Sequence, residues 1–218
     1  MEKEKRNVSK MKYVAAFALA CLVFIGGLYA GYMISESKVN DILSVEREAR
    51  LQLENLELEE RLLDATPCMS PSLLSENLDE LGAKLSYLET NYDKNDPKIL
   101  ELKKPYTLLE VRHYLTMKRM VERCDSKNYT LILFFYSNAP EFIAESEKQG
   151  FVLNYLQKKF TTDSVKVYSF DSDLDVEIIG ALKEVYGVET VPSIVMDGKL
   201  YAGFHDKDEL ESIIESKR

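Results

Sequence analysis

The chain is poor in the residues from which reactive centres are usually built. It has three cysteines in 218 residues, Cys21, Cys68 and Cys124, and none beyond Cys124. A thiolate is needed for thiol exchange, so the last 94 positions cannot supply one themselves. The two histidines, His113 and His205, lie far apart without Cys or Asp at ligand spacing, so no metal site is expected. His113, within "EVRHYL", reads as a helix-surface or hairpin-packing residue. There is no Gly-rich phosphate loop, no G-x-S-x-G elbow and no H-E-x-x-H, and no cofactor is implied. Positive charge is also short. A net charge of −9 argues against nucleic acid, whose phosphates need a basic surface. The acidic runs "DSDLDVE" and "HDKDELE" are too sparse for a calcium loop and read as helix caps and solvated faces. No internal repeat and no low-complexity tract stands out.

What the chain does have begins with an uncharged run, Tyr13 to Ile34, "YVAAFALACLVFIGGLYAGYMI". A helix of that length crosses a hydrocarbon core of about 30 Å. Lys3, Lys5, Arg6, Lys10 and Lys12 precede it and acidic residues prevail after it. The positive-inside rule then predicts a cell-membrane protein of one span, with a basic cytoplasmic N-terminus over 1–12 and an extracytoplasmic remainder. "LYA" before Gly31 loosely resembles a signal-peptidase site, but the apolar run continues past it, which favours an uncleaved anchor. Cys21, inside the span, reads as a small apolar filler.

Residues 36–64 contain no Gly or Pro, and Ile42, Val45, Ala49, Leu53, Leu56 and Leu63 recur at three- and four-residue steps. The pattern suits an amphipathic helix packed on its own domain. It suits equally a coiled-coil stalk that joins two copies as a homodimer, since fewer than four clean heptads are present. "ATPCMSPS" breaks this helix. A helical hairpin follows over 68–124, its first helix carrying Leu74, Leu78, Leu81, Leu85 and Leu88 on one face. Its second, Lys98 to Arg123, carries Leu108, Val111 and Leu115 on one side, with Pro105 as a kink or restart.

Cys68 and Cys124 flank this hairpin. An even pair outside the membrane suggests a structural disulfide, which would remove about 4 kcal/mol of unfolded-chain entropy. A displaced redox pair that cycles, and two free thiols, remain open alternatives. Asn128-Tyr129-Thr130 is an N-glycosylation sequon on the same side.

From 128 to 217 strands and helices alternate. Leu131–Tyr136 is an apolar strand, Pro140–Phe160 a helix with Gly150 as a kink, Val165–Phe170 a strand, and Leu174–Tyr186 a helix. Asp197-Gly198 sits between two β-rich runs as a hairpin turn, and Asp206 caps a closing helix from Lys207 to Ser216. The order β-α-β-α-β-β-α, with Val191-Pro192 after "YGV" and before the hairpin, resembles the thioredoxin family over about two fifths of the chain. The resemblance implies a thioredoxin-like α/β domain and a cis peptide before Pro192, facing the turn after the first strand. It also exposes a departure. The family's two cysteine positions fall near Pro140 and Ile143, and the acidic residue that assists proton transfer in some members falls near Phe134.

A catalytic role at this turn is therefore not expected, although an oxidoreductase using Cys68 and Cys124 stays open as an alternative. Loss of the thiols leaves the family's substrate surface. Ser137, Asn138, Ala139 and Pro140, with Thr190, Val191 and Pro192, are expected to form a shallow groove that holds an extended polypeptide through main-chain hydrogen bonds. The expected partner is an extracytoplasmic protein or peptide. A third reading makes the chain an assembly protein acting through its stalk.

Overall fold

The computed structural model describes residues 10–65, 68, 71–91, 96–124, 129–160 and 164–217. Lys3, Lys5, Arg6 and the sequon residue Asn128 lie outside them. The chain divides into two compact units, Met1–Ser44 and Val45–Arg218, and α1 (Lys10–Ala65) is one uninterrupted helix contributing to both. The expected anchor and stalk are thus parts of one helix, because no Gly or Pro intervenes after Gly31 to break the ladder.

In the first unit, the segment Lys10–Glu36 is long and apolar enough to cross a membrane, with a mean hydropathy of 2.2. Its Phe17, Leu22, Phe24 and Leu28 side chains are exposed.

The second unit is mostly helical around a small mixed sheet. Its part of α1 buries Val45, Ala49 and Leu56, and leaves Leu51 and Leu58 exposed. Glu48 accepts from Lys84 at 2.8 Å, and Glu60 pairs with Arg112 at 3.0 Å and Arg119 at 3.1 Å. The stripe read from the sequence is therefore spent inside this chain at Val45, Ala49 and Leu56. α2 (Pro71–Asn91) buries Leu78, Leu81, Leu85 and Leu88, four of the five leucines predicted to share a face; the Leu74 side chain lies outside the described ones.

α3 (Pro97–Arg123) departs from the prediction. Leu108 and Leu115 are exposed, while Ile99, Leu102, Leu109, His113, Met117 and Met120 form the buried stripe along with Val111. Polar residues at Lys103, Thr107, Glu110, His113 and Thr116 are buried on this helix, which disguised its inward face. Pro105 lies within the helix without ending it. Cys68 and Cys124 are joined by a disulfide with Cα atoms 5.7 Å apart, within the ordinary span of such a bond.

The sheet has the order β2-β1-β3-β4, from β1 (Thr130–Tyr136), β2 (Val165–Asp171), β3 (Ser193–Met196) and β4 (Lys199–Ala202). β1 and β2 run parallel, joined by α4 (Ile143–Phe160); β1–β3 and β3–β4 are antiparallel. α4 begins at Ile143 rather than Pro140 because residues 140–142 form a turn, and it runs through Gly150. α5 (Glu177–Tyr186) likewise starts after Leu174, and ends on Gly187 in the left-handed conformation that favours glycine. Asp197 and Gly198 both have positive φ, as a tight two-residue hairpin demands, and the Asp197 carboxylate accepts from the Leu131 amide at 2.9 Å. Asp206 caps α6 (Lys207–Glu215) by accepting from Glu209 N–H at 3.0 Å.

Candidate functional site

Two neighbouring regions at the C-terminal end of β1 gather chemistry. The first is the turn 137–142. Ser137 Oγ donates to the Asp173 carboxylate at 2.8 Å, and the Asn138 amide donates to the same oxygen at 2.8 Å. Asn138 Nδ2 donates to Asp171 Oδ2 at 2.9 Å, while the Asp173 amide donates to Asp171 Oδ1 at 3.1 Å. Two aspartates at the end of β2 therefore hold a turn that has no thiol. Ser137 is buried, Asn138 and Ala139 are half-buried, and Pro140 is exposed.

The segment 190–192 arrives beside this turn through strand register. Phe135 stands opposite Ser193, so one step further along β1 meets Pro192. The Val191–Pro192 peptide is cis, Pro192 is buried, Val191 is half-buried and Thr190 is exposed. Ser193 Oγ donates to the Thr190 carbonyl at 2.7 Å, which holds the approach to the strand.

The second region was not read from the sequence. A cleft of about 940 Å³ lies along β2, bounded by α2, α3 and α4. None of the seven groove residues lines it. Lys103 is buried at one end, with Asp171 at 2.5 Å and Glu89 at 3.0 Å. Burial alone would depress the Lys103 ammonium, but Tyr136, Glu89 and Asp171 outweigh it and hold the group well above its ordinary range. Lys166, fully buried on β2, pairs with Asp79 of α2.

Glu110 is the most unusual group in the cleft. Its Oε1 accepts from the Ser169 amide at 3.1 Å, while Oε2 is buried and has no hydrogen-bond partner. Burial pushes the carboxyl up to about 8, against the Ser169 amide and the Lys166 and Lys103 cations, which pull it down. At neutral pH it is a carboxylic acid with one proton to donate. The helical wall comes close here because Gly82 has no side chain. A Cβ at that position would stand 2.6 Å from the Tyr106 hydroxyl.

The sequence signal for this site was weak. Lys166 interrupts an apolar strand, and Lys103 and Glu110 sit seven residues apart on α3, but charged residues in helices usually face water. His113, expected on the helix surface or in the hairpin packing, is instead buried against β2, its Nδ1 2.8 Å from Tyr168 Oη. Among the described residues no three His, Cys, Asp or Glu side chains converge to hold a metal ion.

No family model matches the chain, and no curated protein does. Among solved structures, one titled "Structure of a malarial protein" is 18% identical, aligned over 41% of this chain and 98% of its own. Its TM-score is 0.33, too low to assign either a fold or an activity.

Proposed function

We propose that this chain is a membrane-anchored protein with a thioredoxin-like domain that binds polypeptide partners and performs no thiol exchange. The observation that carries the reading is the turn 137–142, which holds no cysteine and whose Ser137 and Asn138 are tied by hydrogen bonds to Asp171 and Asp173. The groove runs from Ser137–Pro140 to Thr190–Pro192, and backbone groups beside Pro192 would hold an extended chain. A disulfide joins Cys68 and Cys124, on this reading a structural bond in an oxidising compartment. Lys10 and Lys12 ahead of the span set the N-terminus in the cytoplasm and the domain outside.

A photoreactive residue at Asn138 tests this in native membranes. It should cross-link a discrete protein partner, and Pro192→Ala should reduce that capture. Undiminished capture by Pro192→Ala removes the groove from the account. Disulfide reduction of insulin by the wild-type chain, lost in Cys124→Ser, would replace binding with catalysis.

A further inference from the structure

The free edge of β2 plays no part in the groove just described. Ser164 and Ser172 bond to β1 through Thr130 N–H and Tyr136 C=O, so even-numbered positions of this strand serve the ladder. The odd-numbered positions turn their backbone N–H and C=O groups outward, and Val167, Ser169 and Asp171 line the cleft. α3 covers one face of β2, where His113 bonds Tyr168. α4 covers the other, where Leu153, Leu156 and Phe160 cluster with Val165. The space between them lies in the plane of the sheet, where a fifth strand would run.

Two features say what fits there. Gln157 Oε1 accepts from the Val167 amide at 3.3 Å and Glu110 Oε1 from the Ser169 amide at 3.1 Å. These side-chain oxygens stand two residues apart, as the carbonyls of a neighbouring strand would. The buried cations beside the cleft are matched, Lys103 by Glu89 and Asp171, and Lys166 by Asp79, so its interior offers an incoming charge no partner, and Lys158 stands exposed at the rim. Glu110 Oε2, buried and unpartnered, is left to bond a ligand.

We propose that this cleft takes an extended, uncharged stretch of polypeptide as a strand added to the edge of β2. Gln157 and Glu110 release the two amides to the incoming carbonyls, and Glu110 then bonds the added backbone. The stretch facing Val167 to Asp171 spans about 13 Å. This rests on the polypeptide-binding reading and gives it a second, separately testable contact. A sugar or similar solute has no donor–acceptor repeat at strand spacing.

The probe is a fluorescein-labelled blocked peptide, Thr-Val-Thr-Val-Thr between terminal lysines, titrated onto the full chain in lipid nanodiscs. Saturable binding with slower hydrogen exchange over 165–171 is expected. Ser169→Pro removes one outward N–H and spares the β1 ladder. Ala83→Trp fills the cleft from an exposed helix position. Each should weaken binding by about tenfold or more, with exchange over 131–135 unchanged as the check on folding. Absence of saturable binding by the wild type overturns the proposal, as does wild-type affinity in both variants. Protection of 165–171 by glucose and not by the peptide overturns it in favour of a small polar solute. Loss with Pro192→Ala alone overturns the cleft and leaves the turn groove standing. Peptide held in the cleft, with no partner cross-linked at Asn138, removes only the groove.

Discussion

On the side of the sheet covered by α4 and α6, Ile132, Phe134, Val165, Ile194 and Met196 meet Leu153, Leu156, Phe160, Leu210 and Ile214 in an apolar cluster. On the side covered by α3, and along the β2 edge, the interior holds Lys103, Lys166, Glu110, Asp171, His113 and Thr116. The first arrangement gains from every methylene removed from water. In the second, each charge loses hydration that its partner restores only in part, so buried ion pairs argue poorly for stability. Both sides hold the domain together, since Phe135, Tyr168 and Phe170 are fully buried on the face that α3 covers, but only that side adds charged groups beside an open cleft.

The difference predicts where single changes hurt and why. Lys103→Ala should cost roughly 3–5 kcal/mol, because Asp171 and Glu89 would be left without their buried cation. Urea unfolding of the full chain in detergent measures it, and a loss below about 1 kcal/mol would mean that water reaches the pair. Leu156→Ala, in the dry cluster, should cost roughly 3 kcal/mol through transfer and cavity terms, with no dependence on pH.

Glu110 gives the comparison a pH axis. Its carboxyl keeps a proton to about 8 when folded and releases it near 4.5 when unfolded. The stability it contributes is complete below pH 4.5 and is lost as pH rises to about 8, at a slope of up to roughly 1.4 kcal/mol per unit. Glu110→Gln should flatten that part of the profile, and an unchanged slope would show that the group ionises freely in the fold. The smallest effect belongs to the wall of the cleft. Gly82→Ala adds up to about 1 kcal/mol of helix propensity but meets the Tyr106 hydroxyl. It should therefore stabilise a Tyr106→Phe chain and fail to stabilise the wild type. Equal effects in both backgrounds would remove the clash from the explanation.

The same contrast explains what could be read from the residues alone. The order of strands and helices after Thr130, the Asp197-Gly198 turn, the Asp206 cap and the leucine face of α2 follow from short-range periodicity, and the structure has them. The Cys68–Cys124 bond followed from counting cysteines outside the span. The charged interior did not, because its pairs join residues distant in sequence. Lys103 and Asp171 are separated by 68 positions and Lys166 and Asp79 by 87. Locally, each resembles a residue on a wet surface. Leu108 and Leu115 misled in the opposite sense, since leucines spaced by a heptad look buried when only their neighbours are. Ser137 to Ala139 follow the end of β1, and their ties to Asp171 and Asp173 depend on how β2 ends, which no local pattern shows.

The disulfide also decides how tension would pass through the molecule. A pull between the N-terminal helix and the C-terminus enters at Cys68, crosses to Cys124 and continues directly into β1. α2 and α3 lie within the loop that this bond closes, so a pull cannot extend them while it is intact. Stretching a single chain should release the loop, roughly 190 Å of contour for its 56-residue separation, only after a reductant is added. Release before reduction would show that the bond is not formed under load.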